Sequence, residues 1–185
     1  MLSAKKHLWF RSAWGAKSSE ILRFAQNEIM RGDLNHTRKS SDFFMARFPL
    51  RSPFEKVGGL FYFGRMLDKI RLHAQGELAT DYHPNLGKGF DEKCVRFLRV
   101  NYEQLVERVK EGGTDEEILQ WCFDVGRKPS EDDVYVWSEF MRKRGWNDEV
   151  SEILTRRKAD AGMYHRSDIQ TAFQFIDADE GRLPG

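Results

Sequence analysis

The 185-residue sequence predicts an all-α fold, a single compact multi-helix domain of seven or eight helices preceded by a basic helical extension. Three observations carry that expectation. Apolar residues recur at helical spacing through most of the chain, strand alternation is scarce, and helix-start signals of the Ser, Thr, Asn or Asp type recur along its length. Hydrophobic residues make up 40% and aromatics 13%, with 14 Phe and 5 Trp, which is ample for a core and far from a disordered composition.

Charge divides the chain. Residues 1–51 carry ten Lys/Arg and four Asp/Glu, a net charge of +6, whereas the remainder is net −5. The first acid is Glu20, and before it Lys5, Lys6, Arg11 and Lys17 interleave with Trp9, Phe10 and Trp14. Residues 1–47 therefore read as a basic, aromatic-containing extension that docks a protein, lies on an anionic surface, or folds back over the acidic remainder. A helix is expected from Ser19 to Arg31, with Ile21, Leu22, Ala25 and Ile29 on one face and Gly32 as its stop. Residues 33–51 are a connector, and residues 48–185 form the main helical domain.

That domain opens with Ser52, Pro53 and Glu55, the pattern of an N-cap, a first-turn proline and a capping box. It predicts a helix from Ser52 to Gln75, ended by Gly76 in the left-handed conformation, with Gly58 and Gly59 marking a close approach by another group. Asp91 is expected to cap the next helix, with Phe90 and Val95 as a hydrophobic staple. Asn101 with Gln104, Thr114 with Glu117, and Ser130 start three more. Asn147 and then Ser167 or Asp168 start the last two. Trp137, Phe140, Met141 and Trp146 read as core.

Two charged clusters draw the functional expectations. Arg65, Asp68, Lys69 and Arg71 lie within two helical turns, where residues three or four apart share a face, and Tyr82 and His83 follow closely. The proposed roles are anion binding by Arg65, Arg71 and Tyr82, and proton exchange by Asp68, Lys69 or His83. The competing reading is a set of ordinary ion pairs. The second cluster, Asp177, Asp179, Glu180 and Arg182, reads as a structural tether whose acids reach Arg65, Arg71 or the basic extension. Its glycine and chain end do not suit a calcium loop, and the five histidines show no metal-ligand spacing, so no metal and no cofactor are expected. The segment Leu86-Gly87-Lys88-Gly89-Phe90 lacks the P-loop pattern and reads as a turn.

Several function classes drop out. Thirty Lys+Arg against 29 Asp+Glu give +1, so bulk charge offers no case for a nucleic-acid partner. Cys94 and Cys122 cannot build a disulfide framework, and no apolar run approaches the roughly 18 residues of a transmembrane segment.

Arg51-Ser52-Pro53 through Gly58-Gly59, Arg65-Met66-Leu67-Asp68-Lys69-Ile70-Arg71, Gly76-Glu77-Leu78, Tyr82-His83, Arg142-Lys143-Arg144-Gly145-Trp146 and Asp177-Ala178-Asp179-Glu180-Gly181-Arg182 resemble a bacterial family catalogued as a domain of unknown function. The resemblance spans residues 48–183 and implies a small, soluble, all-helical, cytoplasmic protein, with no activity or site to carry over. Two functional expectations follow: a domain that binds a small anionic molecule, with or without proton-transfer catalysis, or an interaction module whose charged clusters are structural.

Overall fold

A computed structural model describes residues 49–183. The expected helix over 19–31 and the basic extension 1–47 lie outside the described residues. The chain enters through Leu50, which is fully buried, and a turn in which the Ser52 hydroxyl accepts from the Phe54 amide. A two-stranded antiparallel hairpin follows, with β1 at Lys56–Val57 and β2 at Leu60–Phe61.

This hairpin corrects the expected helix from Ser52. The turn does use Ser52 and Glu55 as a cap-like pair, with the Ser52 amide donating to Glu55 at 3.3 Å, but no helix propagates from it. Gly58 and Gly59, at φ +54° and +84°, form instead the two-residue loop that reverses the strands, since positive φ at both positions matches the natural strand twist. The close approach expected there comes from Leu119 and Val134, both reaching over the hairpin.

Seven α-helices and one 3₁₀ helix, joined by turns and loops, follow among the described residues. Helix α1, Phe63–Gln75, starts after Tyr62 and ends at Gly76, which takes the left-handed conformation at φ 75°. A 3₁₀ helix spans Thr80–Asn85. Next come α2 at Phe90–Leu98, α3 at Tyr102–Lys110, α4 at Asp115–Val125 and α5 at Glu131–Lys143. Last are α6 at Ser151–Asp160 and α7 at Ala172–Asp179.

At Asn101, Thr114 and Ser130, unlike at Ser52, the structure keeps the expected start. Asn101 accepts from the Gln104 amide, and Thr114 and Ser130 form capping boxes with Glu117 and Asp133. Three starts move. Gly89 caps α2 without a side-chain bond, because Asp91 turns inward instead. Helix α6 begins after Val150 rather than at Asn147, since Asp148 spends its carboxylate on the amides of Gly145 and Val150 and holds a turn there. Helix α7 begins at Thr171, whose capping box with Gln174 displaces the expected Ser167 or Asp168 start.

The main core runs between α1, α2, α3, α4 and the hairpin, closed by α5 and α7. Phe173 on α7 is its aromatic centre. Its ring meets Phe54 at 5.3 Å, Phe61 at 6.4 Å, Tyr62 at 5.9 Å and Phe90 at 5.3 Å. Truncating such a fully buried ring typically costs about 3–5 kcal/mol. Trp137 and Met141 join the core, but Phe140 and Trp146 do not: they are 42% and 54% exposed. Helix α5 packs only its Trp137–Met141 face, so Phe140 is left on the outer side.

The hairpin makes a discriminating test. A Cβ at residue 58 would fall 2.3 Å from Leu119 Cδ2, whereas one at residue 76 would meet nothing within 4 Å, although both glycines have positive φ. Gly76→Ala is expected to cost about 1 kcal/mol from backbone strain alone. Gly58→Ala should cost at least twice that in urea denaturation, because Leu119 must also move; equal losses would contradict this packing.

Candidate functional site

Helix α1 presents charge on two faces, and the structure sends them to different partners. On the inner face, Arg65 and Lys69 are one turn apart and only 2% and 3% exposed. Buried cations persist only when paired and hydrogen-bonded. Arg65 makes a two-nitrogen ion pair with Glu180 and donates to the Arg51 carbonyl at 2.8 Å. Tyr82 completes this centre by donating its hydroxyl to Glu180 at 2.6 Å.

Lys69 has a separate partner. Its Nζ lies 2.5 Å from Asp91 Oδ1 and 3.0 Å from the Tyr62 hydroxyl, which itself donates to Asp91 at 3.0 Å. The other Asp91 oxygen accepts from the Gly87 amide at 3.1 Å, so the carboxylate pins the 86–89 turn to the core. Burial lowers the Lys69 pKa, with Asp91 opposing the shift. Tyr62 adopts φ 71°, a conformation a non-glycine residue rarely takes, which aims its ring at Phe173 and its hydroxyl at the lysine.

The outer face carries Asp68 and Arg71. Their direct contact is only 3.9 Å, and each has a stronger partner elsewhere. Arg51 grips Asp68 through two nitrogens at 2.7 and 2.6 Å and reaches Asp115 at 2.5 Å. Arg71 meets Asp115 at 2.6 Å. Arg65, expected to share a face with Asp68, turns away to Glu180.

The C-terminal cluster closes onto the segment 50–52, near where the described residues begin. Arg182 pairs with Asp177 at 2.6 Å and with Glu180, and donates to the Leu50 carbonyl at 2.9 Å. Asp177 also accepts from the Ser52 hydroxyl at 2.6 Å. Asp179 acts at longer range on Tyr82 and Arg157. The acids therefore reach Arg65 but not Arg71, whose carboxylate comes from α4. His83 is apart from all of these pairs: its ring meets His73 edge-on at 4.9 Å, and its Nε2 is 3.0 Å from the Leu78 carbonyl.

Arg51, Tyr62, Asp91 and Asp115 belong to these centres and had no signal at local spacing. Asp91 lies 22 residues from Lys69, and Asp115 64 residues from Arg51, so only the folded chain joins them. Among the described residues, no group of three or more His, Cys, Asp or Glu side chains is placed to hold a metal ion. No helix among them is long and apolar enough to cross a membrane.

The pH response of this core follows from its buried acids. Burial raises the pKa of Tyr62 and Cys94 well above their ordinary values; it also raises Tyr82, aided by Glu180, and pushes Cys122 up to about 12. A raised folded pKa contributes stability that is complete below the ordinary value and lost as pH rises above it. Lys69, being lowered, works in the opposite sense up to its ordinary 10.5. Tyr102 is raised in the same way and Lys93 is lowered like Lys69; above the ordinary lysine value of 10.5 neither lysine opposes the five raised acids, so the melting temperature should fall from there upward. In Tyr82→Phe that decline should be shallower, as followed by circular dichroism; parallel slopes would contradict the assignment.

The family described as Domain of unknown function (DUF5069) matches residues 47–182. No curated protein matches the chain.

Proposed function

Because the chain belongs to the DUF5069 family, whose function is unknown, we propose from its geometry that it is a non-catalytic binding module whose charged clusters close the fold. One observation carries this reading: each ionisable residue expected to serve a ligand already has a protein partner. Arg65 and Tyr82 are engaged by Glu180, Lys69 by Asp91, Asp68 by Arg51, Arg71 by Asp115, and His83 by the Leu78 carbonyl. A cation saturated by a protein carboxylate has little left for a substrate anion. Exposed apolar side chains lie elsewhere, with Tyr135, Val136 and Phe140 on α5 and Trp146 just beyond it. Such side chains are the material of a contact surface.

The basic residues 1–47 supply a second docking segment in this reading, through Lys5, Lys6, Arg11 and Lys17 with Trp9 and Trp14. A bacterial, cytoplasmic setting fits the two buried free thiols of Cys94 and Cys122, which are usual in a reducing compartment.

A second reading, binding of a small anion with proton transfer, draws on His83, the expected proton-exchange residue that stands outside the ion pairs, edge-on to His73. A thermal-shift screen of the full chain against anionic metabolites and metals separates the two readings. It is repeated with His83→Ala, which leaves every ion pair of the clusters in place. The binding-module reading expects no stabilisation that depends on His83. A metabolite that raises the melting temperature of the native chain but not of His83→Ala would overturn it.

A further inference from the structure

Outside the ion-pair network, one row of side chains on α2 and α5 is chemically unfinished. The Arg127 guanidinium lies 5.0 Å from the centre of the Phe97 ring. Phe97 stacks on Trp137 at 4.5 Å, and Trp137 meets Phe140 at 6.3 Å. Phe140 in turn is flanked by Arg144 at 5.1 Å and Lys93 at 5.8 Å. Helical spacing writes this row into the sequence: Lys93 and Phe97 are four apart, Trp137 and Phe140 three apart.

Three N–H groups in the row have no acceptor among the described residues: Trp137 Nε1, Arg127 Nε and Arg144 Nε. Trp137 is 6% exposed and Arg144 4%. Both guanidinium groups spend terminal nitrogens on carboxylates, Arg127 on Asp133 at 3.3 Å and Arg144 on Asp148 and Glu149 at 2.8 and 2.7 Å. Their inner Nε atoms are left over. A buried donor without an acceptor is rare in folded proteins, and three along one aromatic row call for an acceptor from outside. At the solvent edge, Phe140 and Val136 are exposed one turn apart on α5.

We propose that this row binds an acidic peptide segment of a partner protein, with a carboxylate accepting from Trp137 Nε1 and a neighbouring arginine Nε while an apolar residue packs on Phe140 and Val136. The proposal rests on the binding-module reading and names the partner's chemistry. A carboxylate suits donor-only groups because it accepts and never donates. All three groups are buried in the free protein, so the carboxylate reaches them only as the exposed Val136–Phe140 edge of α5 repacks around the guest. Asp133, Asp148 and Glu149 are already held by terminal guanidinium nitrogens, which leaves Lys93 as the cation facing the guest. Burial and Arg144 disfavour the Lys93 charge in the free protein, and a bound carboxylate relieves that.

The test is a nitrogen-15 NMR titration of the full chain with an acetylated, amidated Glu-Asp-Phe-Asp-Glu peptide, and with a control in which lysine replaces every acid. The acidic peptide should move the Trp137 indole N–H saturably downfield and leave it unmoved in the control. Lys93→Glu and Phe140→Ser, both at residues outside the fully buried core, should each weaken binding about tenfold while preserving the spectrum of the fold. A stationary indole at about 10 mM peptide, equal shifts with the lysine peptide, or a shift produced only by a short oligonucleotide would overturn the proposal. Saturable shifts on another face would overturn this row while sparing the binding-module reading, which fails separately in the His83-dependent screen.

Discussion

Two positive charges buried on one face of α1 dictate much of this architecture. Arg65 and Lys69 sit where water cannot solvate them, and a buried charge left unpaired costs about 3–5 kcal/mol when its partner is removed. Each therefore conscripts a distant carboxylate. Lys69 takes Asp91 and with it the 86–89 turn; Arg65 takes Glu180 and with it the C-terminal end. The positions of α2 and α7 follow from these demands as much as from apolar packing.

The same pairing joins the two ends of the domain. Leu50, Arg51 and Ser52 each contribute a backbone or side-chain group to Arg182, Arg65 or Asp177. Phe173 fills the space beneath, against rings from the entering turn, the hairpin, Tyr62 and α2. Polar closure and aromatic packing thus act on one seam, and neither is complete without the other.

Local signals were legible and long-range ones were not. Thr114 with Glu117, Ser130 with Asp133, and the glycine stop at residue 76 are one-turn patterns whose physics is complete within a few residues. The Ser52 box misled because it is equally compatible with a single turn, and Gly58-Gly59 was the stronger statement: paired glycines suit a reversal better than a helix interior. Asp91 looked like a cap by spacing, but its carboxylate lowers the free energy more by neutralising Lys69 inside the core. The expected tether of the C-terminal acids to Arg65 is present as geometry, yet Arg71 goes to Asp115, a partner no spacing rule could have named. On α5 the periodicity marked Trp137, Phe140 and Met141 alike, and only packing separated the outward Phe140 from the other two.

The claim at the centre is that the α1 charges hold the fold rather than await a ligand. A double-mutant cycle on Arg65→Met and Glu180→Gln, read by urea denaturation, addresses it most directly. Two residues that serve each other should show a coupling energy above about 1.5 kcal/mol, with the double variant more stable than the sum of the single losses implies. Losses that add to within about 0.5 kcal/mol would contradict the account, since Arg65 would then be buried for some purpose other than closing the chain.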